Sequence, residues 1–312
     1  MDITHKSLTA SVSRLLKNQN FIFTLALILA LTVGQGAVWA EPLLLPVMAV
    51  AMTLSTISIT NRDLTSIKST PRPILVSLLL NYVVMGSMML LLARWLINDT
   101  EIWAGFVTLA AMPPAIAVIP FSYILKGNLA LSLIGTTGLY LAALALTPGL
   151  MILLLGTNFL SPARLLLILV QLIIIPLAVS RVLLFTGLAT RIAKWQDTAV
   201  KWCFFITIYI IIGLNRQVFF GQPDILLKVV IILTVVSFVL GHVIYFIAKK
   251  FNMDHPTRIS WMVMSTKKNA GLASAIAITL IDERAAFPAG ILVIFDILTL
   301  IWWAFYFKKQ VK

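Results

Sequence analysis

Stretches of twenty or more residues without a single Asp, Glu, Lys or Arg dominate this chain, and they restrict its fold more than any other feature. The runs 18–40, 42–61, 73–93 and 102–125 are 23, 20, 21 and 24 residues long and carry no charge. A helix needs about 20 mostly apolar residues to cross a bilayer, so each run predicts one span. The run 127–163 is charge-free for 37 residues. It reads as one long, tilted helix, because two spans and a turn need more. Segments 163–185 and 197–219 follow, the first interrupted by Arg181 and the second flanked by Lys201 and Arg216. The run 229–248 is clear, and two further apolar segments, about 258–281 and 285–307, carry charge in their middle. The total is ten.

Composition agrees. Hydrophobic residues make up 60% and charged residues 11% of the chain, whereas soluble domains carry about 25% charged residues. A soluble enzyme, a secreted disulfide scaffold and a disordered chain are thereby excluded. One cysteine, Cys203, and three scattered histidines, His5, His242 and His255, form neither a disulfide nor a metal motif. The net charge of +13 would suggest nucleic acid in a soluble protein; here it reports basic loops, and no nucleic-acid partner is expected. With the N-terminus inside, seventeen Lys and Arg fall on inner segments and five on outer ones. That bias predicts a multi-pass protein of the cell (inner) membrane with both termini cytoplasmic. Tryptophans 39, 95, 103, 202, 302 and 303 sit near span ends, as interface anchors do.

Ten spans divide into five and five, residues 1–157 and 158–312. An odd-numbered unit repeated in tandem has inverted topology, a common plan among transporters. The fourth span of each half carries broken helix chemistry. Span four contains Met112-Pro113-Pro114 and span nine contains Ser265-Thr266-Lys267-Lys268-Asn269-Ala270-Gly271. Interrupted segments at matching positions point to a binding site, because the freed backbone groups must face a cavity or protein.

Lys267, Lys268 and Asp296 are the sharpest signal. A charge at the bilayer centre costs about 2.5–3.5 kcal/mol and finds a partner or a wet cavity. Adjacent helical residues point about 100° apart, so the two lysines cannot both meet Asp296 alike. The expectation is Lys268 in the core beside Asp296 and Lys267 toward the crossing cavity, with the roles exchangeable. A structural clamp, a tethered ammonium replacing a bound cation, and a proton-exchanging lysine are all open.

At these residues the chain resembles the bile acid:sodium symporter family. The resemblance rests on Asn269-x-Gly271-Leu272-Ala273 in span nine and on Lys126-Gly127-Asn128-Leu129-Ala130-Leu131-Ser132 after Pro113. Asn81-Tyr82-Val83-Val84-Met85 in span three and Asn61-Arg62-Asp63-Leu64 after span two are looser matches. The resemblance implies an all-α membrane protein of two inverted five-helix repeats, with spans four and nine crossing. It implies a panel of about 21–40, 43–60, 163–185 and 197–219. The implied core is about 74–96, 102–125, 128–156, 225–248, 258–281 and 285–307. It also implies a bile-acid-like or small carboxylate substrate moved by alternating access, with Pro113, Pro114, Lys267, Asn269 and Asp296 as substrate-binding candidates. Where the family places sodium ligands, this chain has Val118, Ile119, Met264 and Lys268. Asn81, Ser132 and Thr136 remain as oxygen ligands, too few for a hard cation. No cofactor is expected; sodium is disfavoured, proton coupling is open, and the protein is expected to be a monomer or weak homo-oligomer in the lipid bilayer. Lys268 and Asp296 are the tethered-cation candidates. Rival readings are an arsenite-type metalloid efflux carrier and a non-transporting membrane scaffold or sensor.

Overall fold

The computed structural model describes residues 15–57, 71–115, 117–156 and 161–310. The loosely matching Asn61-Arg62-Asp63-Leu64 turn lies outside them, as does His5. Helices follow one another without a strand among the described residues. They are α1 (Gln19–Thr32), α2 (Gly36–Ile57), α3 (Pro71–Leu96), α4 (Thr100–Ala111), α5 (Val118–Ile124), α6 (Leu129–Leu155) and α7 (Pro162–Phe185). Then come α8 (Leu188–Leu214), α9 (Arg216–Gly221), α10 (Pro223–Lys250), α11 (His255–Met264), α12 (Ala270–Leu280) and α13 (Phe287–Gln310). Among the described residues seven helical segments are long and apolar enough to cross a membrane: α2, α3, α6, α7, α8, α10 and Glu283–Lys308, which holds most of α13. Shorter apolar helices lie at Phe21–Thr32, Thr100–Ala111 and Ala270–Leu280.

Two boundaries and one tryptophan differ from expectation. The first apolar run does not make one helix to residue 40. It stops at Thr32, and the next helix starts at Gly36. A Cβ on Gly34 would lie 3.1 Å from the Gly213 Cα of α8, so the chain turns where two backbones touch. Second, α8 begins at Leu188 rather than near 197, taking in Arg191, Lys194 and Asp197. Charge there excludes lipid, not helix. Third, Trp39 and Trp95 are exposed, but Trp303 is buried and stacks on Phe307 beside His242 and Tyr245. It fills protein interior rather than anchoring an interface.

Packing sorts the helices. α8 runs along α1 and α2, and α7 along α2. Arg181 Nη2 of α7 donates to Thr56 O (2.6 Å) and Gln196 Nε2 of α8 to Leu54 O (2.7 Å). Two side chains thus bond to carbonyls near the last described turn of α2 and tie α7 and α8 to it. Among the remaining helices α6 packs on α3 and α4, α10 on α11, and α12 on α4 and α13, and one hydrophobic cluster runs through them and into α2, α7 and α8. The Lys126-Gly127-Asn128 turn ties α5 and α6 to α11. Lys126 has φ 63°, Gly127 N donates to Ser122 O, and Asn128 Oδ1 caps Leu131 N (3.1 Å). A Cβ on Gly127 would come within 2.9 Å of Ser260 Oγ, so glycine is needed for the close approach.

Candidate functional site

Helix α4 ends because two prolines follow it. Met112, the residue before them, is extended (φ −77°, ψ 151°). Ala110 O would bond to the N–H of residue 114 in an unbroken helix, and residue 114 is a proline without one. The chain resumes as α5 at Val118. The second break, Ser265–Asn269, contains no proline. Ser265 Oγ and Thr266 Oγ1 turn back to Met262 O (2.9 and 3.0 Å), and Asn269 Oδ1 opens α12 by accepting from Leu272 N (3.0 Å).

The two breaks meet backbone to backbone: Asn269 N donates to Pro113 O (2.9 Å). Beside that contact lies Lys268, fully buried. Its ammonium donates to Ala110 O (2.8 Å) and Met112 O (2.9 Å) and stands 4.3 Å from the centre of the Tyr82 ring. The lysine nitrogen therefore sits at the carbonyl end of α4, the negative end of its dipole, an environment that favours a cation. Asn81, in a π-helical stretch of α3, does the corresponding work for α11: its Nδ2 donates to Met264 O (3.0 Å) and Lys267 O (2.9 Å).

Lys267, not Lys268, pairs with Asp296. Its Nζ donates to Asp296 Oδ1 (2.9 Å) and Thr299 Oγ1, and lies 5.3 Å from the Phe121 ring centre. The expected assignment is thus reversed. The segment carrying both lysines is unwound, so helical spacing does not decide which one faces α13; the Pro113 contact orients the strand instead. Asp296 and Thr299 are one turn apart on α13 and face the same ammonium.

Among the remaining candidates, Pro113, Asn269, Asn81 and Lys268 come together at the crossing. Pro114 contributes by the N–H it lacks. Ser132 shares a 2.7 Å hydrogen bond with Ser122. Thr136 Oγ1, Ser77 Oγ and Asn81 Oδ1 are buried and accept or donate nothing among the described residues. Met264, at a position where the resemblance implies a sodium ligand, is fully buried, and its methyl group lies 3.0 Å from where a Cβ on Gly135 would stand. Tyr82, Tyr140 and Thr299 belong to the site but were not expected there. Tyr140 accepts from Asn269 Nδ2 (2.6 Å). It shares a stripe of α6 with Ser132 and Thr136 at four-residue spacing, a usable signal.

A cavity of about 180 Å³ opens against the crossing, lined by Met52, Ala115, Phe121, Phe204, Asn269 and Asp296 among others. Asp197 and Lys201 of α8 line it as well and pair with each other. Charges deep in a membrane protein, two broken helices in contact and a cavity against them define a membrane transporter. The comparisons with known proteins agree. The Sodium Bile acid symporter family matches residues 43–256, and the chain belongs to that family. It is similar to the protein named "Uncharacterized sodium-dependent transporter YocS" of Bacillus subtilis (strain 168), with 26% identity over 253 residues, which cover 78% of this chain and 75% of that protein. This is a multi-pass membrane protein of a transporter family, not an enzyme family.

Proposed function

We propose that the chain is a secondary carrier for a small organic anion, working by alternating access, and that the Lys268 ammonium replaces one coupling cation. The observation that carries this reading is the seat of that ammonium, held by two backbone carbonyls and an aromatic face at the end of a half-helix. The opposite charge of the substrate is met by the N-terminal end of α12, whose first residues line the cavity. The cavity volume favours a small carboxylate over a steroid, since sites for drug-sized ligands measure about 300–1,000 Å³. Movement of α1, α2, α7 and α8 against the other helices would open the crossing to either side. The family name and the relative's name both mention sodium, yet Val118, Ile119 and Met264 offer no side-chain oxygen.

A retained-ion reading draws on one observation, the three unpartnered buried oxygens of Ser77, Asn81 and Thr136. The test separates the two. The full chain is reconstituted in liposomes, and uptake of labelled small carboxylates is followed in sodium and in choline chloride of equal ionic strength. The expected result is saturable uptake that survives the exchange. In parallel, the thermal unfolding midpoint stays unchanged between the two salts, whereas a sodium site filled at ten times its dissociation constant would add roughly 1.4 kcal/mol. Lys268→Gln should not acquire sodium dependence. Uptake that requires sodium would overturn the tethered-cation assignment.

A further inference from the structure

Both membrane-buried lysines are spent on the protein. Lys268 donates to Ala110 O and Met112 O and faces the Tyr82 ring. Lys267 donates to Asp296 Oδ1 and Thr299 Oγ1, and its side chain is 3% exposed. Asn269 is spent as well, its amide on Tyr140 and its oxygen on Leu272 N. None of the three keeps a strong donor for a bound anion. Asp296 is the exception to this saturation. It lines the cavity, its side chain is 15% exposed, and Oδ2 takes no hydrogen bond among the described residues. A substrate moving along this wall therefore meets a carboxylate oxygen with its acceptor capacity open, while the balancing ammonium lies behind it. A simple carboxylate placed there faces like charge; a protonated nitrogen gains a charge-assisted hydrogen bond.

Resting on the organic-anion reading above, we infer that the transported acid is a small zwitterion: its carboxylate meets the start of α12 and its ammonium nitrogen donates to Asp296 Oδ2. Asp296 is then a specificity residue, selecting aminated acids over plain acids of equal length.

Matched sets of three test this: propionate, β-alanine and propylamine; butyrate, 4-aminobutyrate and butylamine; valerate, 5-aminovalerate and pentylamine. Dissociation constants come from the rise in unfolding midpoint of the purified full chain in choline chloride. In at least one set the amino acid should bind tenfold or more tightly than the plain acid. Asp296→Asn should abolish that ratio and Asp296→Glu should retain it; if Asp296→Asn does not fold, the wild-type ratio and Asp296→Glu decide. Plain acids that bind as well as their amino partners overturn the inference and leave the organic-anion reading standing. Amines that bind as tightly as the amino acids overturn both. A ratio unchanged in Asp296→Asn removes Asp296 from the role, and binding by no member of the panel overturns the zwitterion.

Discussion

The two breaks that meet at the crossing are opposites in hydrogen-bond chemistry. Beyond α4, prolines remove N–H donors, so the break is rich in carbonyl acceptors: Ala110 O, Met112 O and Pro113 O. Between α11 and α12 no donor is removed, and Lys268 and Asn269 supply an ammonium and an N–H. Every one of those acceptors is taken by a donor from the other break. Each break is thus costly alone in a medium without water, and tolerable only against its counterpart. The carbonyl end of α4 is thus taken by the other break rather than left free for ligands, and the open acceptor capacity lies one step away, on α13.

That complementarity is broken most severely at Lys268. Lys268→Met keeps the volume and strands two buried carbonyls, at a cost of about 1–3 kcal/mol for each. The unfolding midpoint of the purified chain should fall steeply. Adding Pro114→Ala should not restore the loss, because Pro113 still holds Met112 extended and the N–H gained at residue 114 stays out of helical register with Ala110 O. A double variant that recovers most of the lost stability would show that α4 can continue through the break once the ammonium is gone.

Asn269→Ala sharpens the comparison from the other side with a smaller effect. It removes the cap of α12 and the bond to Tyr140, but leaves the backbone N–H to Pro113 O. A loss of about 1–2 kcal/mol is expected from the cap and the buried bond together. Tyr140→Phe should reproduce only part of that loss. If Tyr140→Phe matches Asn269→Ala, the cap adds nothing and the start of α12 is held by the crossing alone.

Much of this was legible beforehand, for reasons visible in particular residues. Charge-free runs announce apolar helices, and Pro113-Pro114 and Lys267-Lys268-Asn269 mark the two breaks because no lipid-facing helix tolerates them without partners. The identity of the lysine that meets Asp296 was not legible. It depends on the path of an unwound segment, and that path is set by a contact 156 residues away in sequence, between Asn269 and Pro113. The early start of α8 was hidden for a different reason: Arg191, Lys194 and Asp197 mark the limit of lipid, which is not the limit of helix. Tyr82 beside Asn81, and Tyr140 at four-residue spacing from Thr136, were readable as neighbours of candidates, but aromatic residues are too common in apolar helices to stand out.

The smallest effect expected lies away from the crossing, where a polar cluster holds the start of α4. Arg284 reaches Asp99 (2.6 Å), Glu101 (2.8 Å) and Gln222 (3.1 Å), and Asp99 Oδ1 caps Glu101 N and Ile102 N. Partial burial pushes the Asp99 carboxyl up, but the Ile102 N–H and the Arg284 guanidinium outweigh it and hold the group below the usual carboxylate range. A carboxyl so lowered contributes stability above its unfolded pKa of about 3.9 and loses it as pH falls through the folded value. Asp99→Asn keeps an oxygen for the cap and discards the charge. At pH 7 the variant should be less stable by about 0.5–1 kcal/mol, the range of a partly exposed ion pair. The difference should persist to about pH 5 and shrink below pH 4. Unfolding midpoints of both proteins across that range measure it, and a gap that stays constant into acid would mean that the cap, rather than the charge, sets the stability of this end of α4.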